Sequence, residues 1–273
     1  MRIVDLFSGA GGLSRGFMDA GYDVLIGTDF DDAALKTFAN NHGNAKAVKL
    51  DLFNHDNMQV LVDRMKDMGK SLDVLVGGPP CQGFSLAGKR EENDERNVLY
   101  TAMVKTAAAL KPRAVVLENV PGMLTLYDGK AKERIFQDFE ELGYTMNVQV
   151  LYAPEYGVPQ IRKRAVFVGL LNSEEKFEYP APILSENEFV TCEEAISDLS
   201  SLDGDVDYSL DTVRDYMTAP TSDYQKEMRK NSTRAHNHYP TKHAEKTVKN
   251  IALVPDGGKY TDLPPELVGK FKY

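Results

Sequence analysis

RIVDLFSGAGGLSRGF, residues 2–17, holds a strand, a glycine-rich loop and a helix in close succession, and the fold can be inferred from it. Its first residues are mostly apolar and β-branched, as in a buried strand. Gly9, Gly11 and Gly12 follow, and a helical pattern then covers Leu13–Ala20. Glycines at such a point let another molecule approach the backbone closely. The stretch therefore predicts an α/β unit with a ligand at its loop.

The same alternation of apolar strands and helical patterns continues to about Leu171. The expected strands are RIVDLF, YDVLIGTD, AKAVKLD, LDVLV, AVVLENV, TMNVQVLY and RAVFVGLL, with helices near 13–20, 31–41, 58–68, 97–110 and 130–142. This order predicts a Rossmann-like α/β fold, a mostly parallel sheet with helices on both faces. Ligands of such sheets bind at the carboxyl ends of the strands, which is where Asp29, Asp51 and Glu118 fall.

Beyond about Leu171 the alternation stops. We therefore expect one α/β domain in residues 1–171, and we assign residues 172–273 to an extension and linker with a short helix at TCEEAISDL. The extension carries an acidic stretch, 185–223, beside a basic one, 224–250, while the whole chain has a net charge of −9. That charge argues against a simple nucleic-acid binder. The two stretches are either solvated surface or a basic edge that faces a polyanion.

The cysteine and histidine content bounds the chemistry. Cys81 and Cys192 lie far apart and no CxxC motif is present, so we expect a protein of a reducing cytoplasm, without a disulfide framework. His236, His238 and His243 lie close together, but no cysteine is near them, and we interpret them as polar loop residues and expect no metal site. No apolar run approaches the ~20 residues of a membrane helix, and no signal-peptide pattern is found.

The glycine-rich loop differs from the common nucleotide motifs. Gly9-Ala10-Gly11 continues to Ser14 where the dinucleotide fingerprint needs a third glycine, and the lysine of a P-loop is missing. An acid about 20 residues further on, Asp29, is suited to ribose hydroxyls. Asp51 ends the third strand and can accept from an adenine amine, while Phe7 and Phe30 can stack on a flat base. The set favours an adenosine-containing ligand over a tight turn with solvated acids.

VGGPPCQGFS, residues 76–85, places Cys81 directly after two prolines, which restrict the backbone. The thiol can be a buried hydrophobe, a redox group or a nucleophile. The loop position and the absence of a nearby second cysteine favour the nucleophile. Glu118 ends an apolar strand, and Arg162 and Arg164 begin another with both side chains on one face. These three are either polar strand ends or groups that bind a substrate.

Five motifs, DLFSGAGGLSRGF, GGPPCQGFS, ERNVLY, LENV and PQIRKRAVFVG, stand in this order and resemble those of the DNA (cytosine-5) methyltransferase family. The resemblance covers Arg2 to about Leu171, and a looser one continues through TCEEAISDL and NHYPTKHAEKTVKNIALVPDGGKYTDLPPEL. It implies that the enzyme transfers a methyl group from S-adenosylmethionine to carbon 5 of cytosine in double-stranded DNA, within or outside a restriction-modification system.

The resemblance also implies roles for individual residues. Cys81 would attack carbon 6 of a cytosine flipped out of the double helix. Glu118 would pair with ring nitrogen 3, Arg164 would hold the carbonyl oxygen, and Arg162 would lie near the thiol and a backbone phosphate. The residues implied at the DNA are Gln82, Ser85, Arg162 and Arg164, and those implied at the cofactor are Phe7, Gly9, Gly11, Gly12, Asp29, Phe30, Asp51, Leu52, Pro80 and Leu99.

The sequence departs from the family pattern after LVGKFKY, where family members continue with a target-recognition region and further shared segments. We therefore expect a shortened or split enzyme, in which a second polypeptide or a missing C-terminal region carries target recognition. Two alternatives remain open. One is a tRNA cytosine-5 methyltransferase with the same catalytic loop, and the other is a catalytically silent regulatory subunit.

Overall fold

The computed structural model describes residues 1–54, 56–80, 99–200, 213–238, 243–255 and 257–267. The chain divides into two compact units, Met1–Phe189 and Val190–Tyr273. Among the described residues, no helix has both the length and the apolar character that a membrane crossing requires.

A seven-stranded sheet forms the centre of the first unit. Its strands are β1 Arg2–Leu6, β2 Asp23–Asp29, β3 Lys46–Lys49, β4 Val74–Gly77, β5 Ala114–Asn119, β6 Tyr144–Tyr152 and β7 Lys163–Leu171, in the order β3-β2-β1-β4-β5-β7-β6. The first five strands are parallel, and β7 runs antiparallel to both β5 and β6. The predicted mostly parallel sheet is confirmed. Its order reverses between β1 and β4, the position at which such sheets bind ligands.

Helices cover both faces of this sheet. They are α1 Gly12–Asp19, α2 Asp32–Asn41, α3 Asp56–Asp67, α4 Leu99–Leu110 and α5 Lys130–Glu140. Val4 and Leu6 belong to one apolar cluster and Ile3 to another, because successive side chains of a strand point to opposite faces. Asp31 caps α2, as its position in the sequence indicates, and accepts a hydrogen bond from Ala34 N at 2.7 Å.

Residues 172–189, which the sequence places in the extension, belong to the first unit by their contacts. Asn147 Nδ2 on β6 donates to Phe177 O at 2.9 Å, and the Tyr179 hydroxyl donates to Val166 O on β7 at 2.7 Å. Burial raises the pKa of Tyr179 to about 12, so the hydroxyl remains a donor.

The second unit contains α6 Cys192–Ile196, β8 Val213–Arg214, α7 Asp223–Met228, β9 Ala235–His236 and α8 Glu245–Ile251. The short helix predicted at TCEEAISDL is α6, and Thr191 and Glu194 form a capping box at its start. Polar contacts hold much of this unit. Arg229 Nη1 lies 3.0 Å from the buried carboxylate of Asp198, and its guanidinium stacks on Tyr216.

Candidate catalytic and cofactor site

The glycine-rich loop leaves β1 in a left-handed conformation. Phe7, Gly9 and Gly11 have φ values of 59°, 54° and 92°, a region that disfavours side chains such as that of Phe7. Gly9 N donates to Asp29 Oδ2 at 2.8 Å, so the carboxylate at the end of β2 fixes the loop after β1. Gly12, next in the chain, is exposed and begins α1.

Two acids and two exposed aromatic rings lie at the ends of β2 and β3. Asp29 Oδ1 accepts from Asp31 N at 3.0 Å, and Asp51 Oδ1 accepts from Phe53 N at 3.0 Å. Phe30 is 66% exposed and Phe53 is 51% exposed, large values for aromatic side chains beside a sheet edge. Phe30 was expected at the cofactor from the sequence and Phe53 was not, although an aromatic residue two positions after Asp51 is a visible signal.

The other residues implied at the cofactor occupy different environments. Leu52 and Leu99 are buried, and Leu99 is the first residue of α4. Phe7 is partly buried and packs against the larger apolar cluster, whereas Pro80 is exposed at the end of the β4 loop. Cys81, Gln82 and Ser85 lie outside the described residues.

Asp5 is a buried carboxylate on β1, close to the start of α1. Its Oδ2 accepts from the Ser14 hydroxyl, and the backbone of Ser14 also donates to the carboxylate. Burial raises the pKa of Asp5 to about 7, and the charge of Asp29 adds to the effect. Oδ1 is buried and has no hydrogen-bond partner among the described residues.

Glu118, Arg162 and Arg164 meet at the carboxyl end of β5. Arg164 Nε lies 2.9 Å and Arg162 Nη2 3.3 Å from the same atom, Glu118 Oε1. The three side chains are 26% to 43% exposed, so the group is open to solvent on one side. The antiparallel β7 brings the arginines here, because the start of β7 lies beside the end of β5. Alternation along the strand predicted the shared face of the two arginines, but not their common partner.

The segment that leads to Cys81 lies against this group. A Cβ at Gly78 would stand 3.6 Å from Glu118 Oε2, which is ordinary contact, so Gly78 lies directly beside that oxygen. Asn119, buried next to Glu118, donates from Nδ2 to Pro79 O at 3.1 Å. Asn119 therefore links the carboxylate strand to the proline loop. Asn119 does not stand out in the sequence, because an asparagine at a strand end is common in turns.

The basic stretch 224–250 is locally neutralised. Five of its cations, Lys226, Arg229, Lys230, Arg234 and Lys249, lie within 2.5 to 3.0 Å of carboxylates of their own unit. Four of these pairs are exposed, whereas the pair of Arg229 and Asp198 is largely buried. In the described part of the chain, no group of three His, Cys, Asp or Glu side chains could hold a metal ion.

Comparisons with known proteins agree with this geometry. A model of the C-5 cytosine-specific DNA methylase family matches residues 1–262. The Type II methyltransferase M.DdeI of Desulfomicrobium norvegicum is 35% identical over 263 residues, and M1.HphI of Haemophilus parahaemolyticus is 32% identical over 270 residues. These matches cover 94% and 97% of this chain but only 61% and 63% of the relatives, so the chain spans less than two thirds of their length.

Solved structures show the same fold. A DNA modification methyltransferase candidate encoded within an E. coli prophage superimposes with a TM-score of 0.76 at 24% identity, over 93% of this chain and 75% of that one. The Dnmt2 methyltransferase of S. pombe gives a TM-score of 0.54 at 21% identity, over 75% of this chain and 62% of its own. The family resemblance of the motifs is thus confirmed by the match over residues 1–262 and by relatives above 30% identity, and the chain belongs to the C-5 cytosine-specific DNA methylase family.

Proposed function

We propose that this chain is the cofactor-binding and catalytic part of a DNA (cytosine-5) methyltransferase that uses S-adenosylmethionine. The residues fit an adenosyl ligand: the glycine loop is held by Asp29, and the exposed rings of Phe30 and Phe53 stand at the same sheet edge. When bound, the cofactor supplies an electrophilic methyl group on a sulfonium. Asp29 would hold the ribose, Asp51 the adenine amine, and Phe30 one face of the ring.

We assign the chemical steps to Cys81 and to the Glu118 group, which consists of Glu118, Arg162 and Arg164. We propose that the Cys81 thiolate adds to carbon 6 of a flipped cytosine, which makes carbon 5 nucleophilic enough to accept a methyl group. Water then takes the proton on carbon 5, the electron pair of that bond restores the 5,6 double bond, and the thiolate leaves carbon 6. A proton shared between Glu118 and ring nitrogen 3, together with Arg164 at the carbonyl oxygen, would balance the negative charge that enters the ring.

The observation that carries the proposal is the convergence of Arg162 and Arg164 on Glu118 Oε1, while Oε2 lies on the side of Gly78. Two cations on one oxygen orient the carboxylate and leave its other oxygen toward the proline loop. That loop continues directly into Cys81. A carboxylate, two guanidiniums and a thiol on adjacent elements suit covalent attack on a polar ring.

We further propose that target recognition depends on polypeptide outside this sequence, in the same chain or a second one. More than a third of M.DdeI and M1.HphI lies outside their matches to this chain. The pairing of cations in 224–250 supports weak electrostatic binding of DNA by this chain.

The test is methyl transfer and covalent trapping. The chain is incubated with S-adenosylmethionine and DNA that contains 5-fluorocytosine, alone and with a polypeptide that supplies the unmatched part of M.DdeI. Because fluorine cannot leave as a proton does, the adduct accumulates and its site is mapped by mass spectrometry. We expect an adduct on Cys81 in the wild type and in Cys192→Ser, and none in Cys81→Ser. Cys192 is the matched control because it is a free, exposed thiol.

An adduct on Cys192, or full activity in Cys81→Ser, would overturn the nucleophile assignment. tRNA is assayed in parallel. Methyl transfer to tRNA with none to DNA would show that the substrate is tRNA and not DNA. Sequence-specific turnover by this chain alone would show that polypeptide outside it is dispensable.

A further inference from the structure

His42 is a buried histidine that lies immediately behind the glycine-rich loop. It follows α2 and is 3% exposed. Its ring stacks on Phe38, with centroids 4.1 Å apart and planes 5° from parallel. No role was assigned to it from the sequence, where it stands in an ordinary polar turn, NNHGN.

Both ring nitrogens of His42 face backbone carbonyl oxygens. Nδ1 lies 2.8 Å from Phe38 O, and Nε2 lies 3.1 Å from Gly11 O. A carbonyl oxygen only accepts hydrogen bonds, so a favourable contact to Gly11 requires a proton on Nε2. A ring protonated on both nitrogens donates to both carbonyls.

Gly11 is the residue where the loop becomes α1. Its N–H donates to Ser8 O at 2.9 Å, and its carbonyl accepts from Arg15 N at 2.8 Å. The bond from His42 is therefore the second one to the same carbonyl, and it comes from a different element. The fit is close, because a Cβ at Gly11 would stand 2.2 Å from His42 Cε1.

We infer that His42 is a positioning residue, which holds the glycine-rich loop in its ligand-binding conformation through the Nε2–H bond to Gly11. The inference rests on the proposed S-adenosylmethionine site. The loop has three left-handed residues, Phe7, Gly9 and Gly11, and this path needs fixing from outside. Asp29 fixes Gly9 from one side, and His42 fixes Gly11 from the other. Without the second contact, the ligand must order the loop on binding, and affinity falls.

Three substitutions separate the contacts of His42. His42→Phe keeps a ring to stack on Phe38 but has no donor. His42→Gln places an amide nitrogen near the position of Nε2, and His42→Asn places one near Nδ1. S-adenosylhomocysteine binding is measured by calorimetry, and the free energy of unfolding of each unliganded variant by urea denaturation. We expect His42→Phe and His42→Asn to weaken binding about tenfold, as the loss of one buried hydrogen bond would. His42→Gln should recover most of the affinity.

Rescue by glutamine is the decisive readout, because a purely structural role would lower stability without distinguishing Gln from Asn. If Gln and Asn bind equally at comparable stability, or if Phe binds as the wild type does, the inference is wrong. This comparison stands even if His42→Phe does not fold. A wild-type chain that binds no S-adenosylhomocysteine would overturn the proposed cofactor itself, whereas a binding wild type with unaffected variants overturns only the role of His42.

Discussion

Asp5 shows how a single side chain links the sheet to the ligand loop. It lies on β1, accepts from Ser14 at the start of α1, and is 1% exposed. A carboxylate favours the N-terminus of a helix, but removal from water opposes its charge. Burial prevails here, and the pKa of Asp5 rises to about 7. The folded state therefore binds a proton at a pH where the unfolded chain has released it.

This shift predicts a pH-dependent stability. Between the ordinary pKa of 3.8 and the folded value of about 7, the unfolded chain binds fewer protons than the native one, so stability falls as pH rises through this window. The loss should approach about 4 kcal/mol and level off above the folded pKa. Asp5→Asn removes the titrating group and keeps an acceptor for Ser14. Its stability relative to wild type should increase from pH 4 to pH 8 in urea denaturation.

Asp67→Asn is the matched control, because Asp67 is exposed at the end of α3. It removes one carboxylate from an exposed position, and its stability is compared with that of Asp5→Asn over the same pH range. A wild-type curve parallel to that of Asp5→Asn would contradict the raised pKa.

At the scale of elements, the sequence predicted the strands and helices. It did not predict where β7 lies in the sheet. Apolar runs and glycine loops identified β1 to β7 in chain order, since each signal is local. The placement of β7 between β5 and β6 depends on contacts distant in sequence. Parallel and antiparallel strands buried on both faces have the same apolar pattern, so the reversal of β7 left no local trace.

The difference between local signals and contacts distant in sequence also explains which site residues the sequence revealed. Glu118, Arg162 and Arg164 stand out because charges at the ends of apolar strands are conspicuous. Asn119 and His42 act through backbone carbonyls of other segments, Pro79 O and Gly11 O, and such contacts appear only in three dimensions.

The antiparallel strand also allows a test with neighbouring residues. Arg164 pairs with Glu118, whereas Lys163 points to the other face and lies over the ring of Tyr152, 5.2 Å from its centroid. Arg164→Gln and Lys163→Gln remove the same charge one residue apart. We expect methyl transfer to fall about 100-fold or more in Arg164→Gln, as for loss of a group that stabilises charge in the transition state. Lys163→Gln should stay within about twofold. Equal losses of methyl transfer in the two variants would show that positive charge on this strand matters, whichever residue carries it.

At the scale of the molecule, both the net charge and the pairing of cations disfavour strong DNA binding. The net charge is −9, and five cations of the basic stretch are paired within the second unit. Binding to DNA releases counterions in proportion to the phosphates contacted, and the logarithm of the affinity falls by about 0.9 per phosphate for each tenfold rise in salt.

We therefore predict a shallow salt dependence for this chain with double-stranded DNA. The slope of log K against log salt should be smaller than about 3 in magnitude, and affinity should not depend on sequence. Fluorescence anisotropy with duplexes of unrelated sequence, over a range of salt, measures both quantities. A slope steeper than about 6 would mean that the paired cations exchange their carboxylates for phosphates and form a real DNA surface.

The position of β7 also has a consequence for biosynthesis. The ribosome delivers β6 before β7, yet in the sheet β7 lies between β5 and β6. During translation β6 therefore has no strand to pair with until Leu171 has emerged, and the free edge of β5 stays open. The apolar residues of both strands are exposed to other nascent chains for that interval. A chain interrupted after β6 would lack both arginines of the Glu118 group and would present an unpaired strand edge to chaperones and proteases.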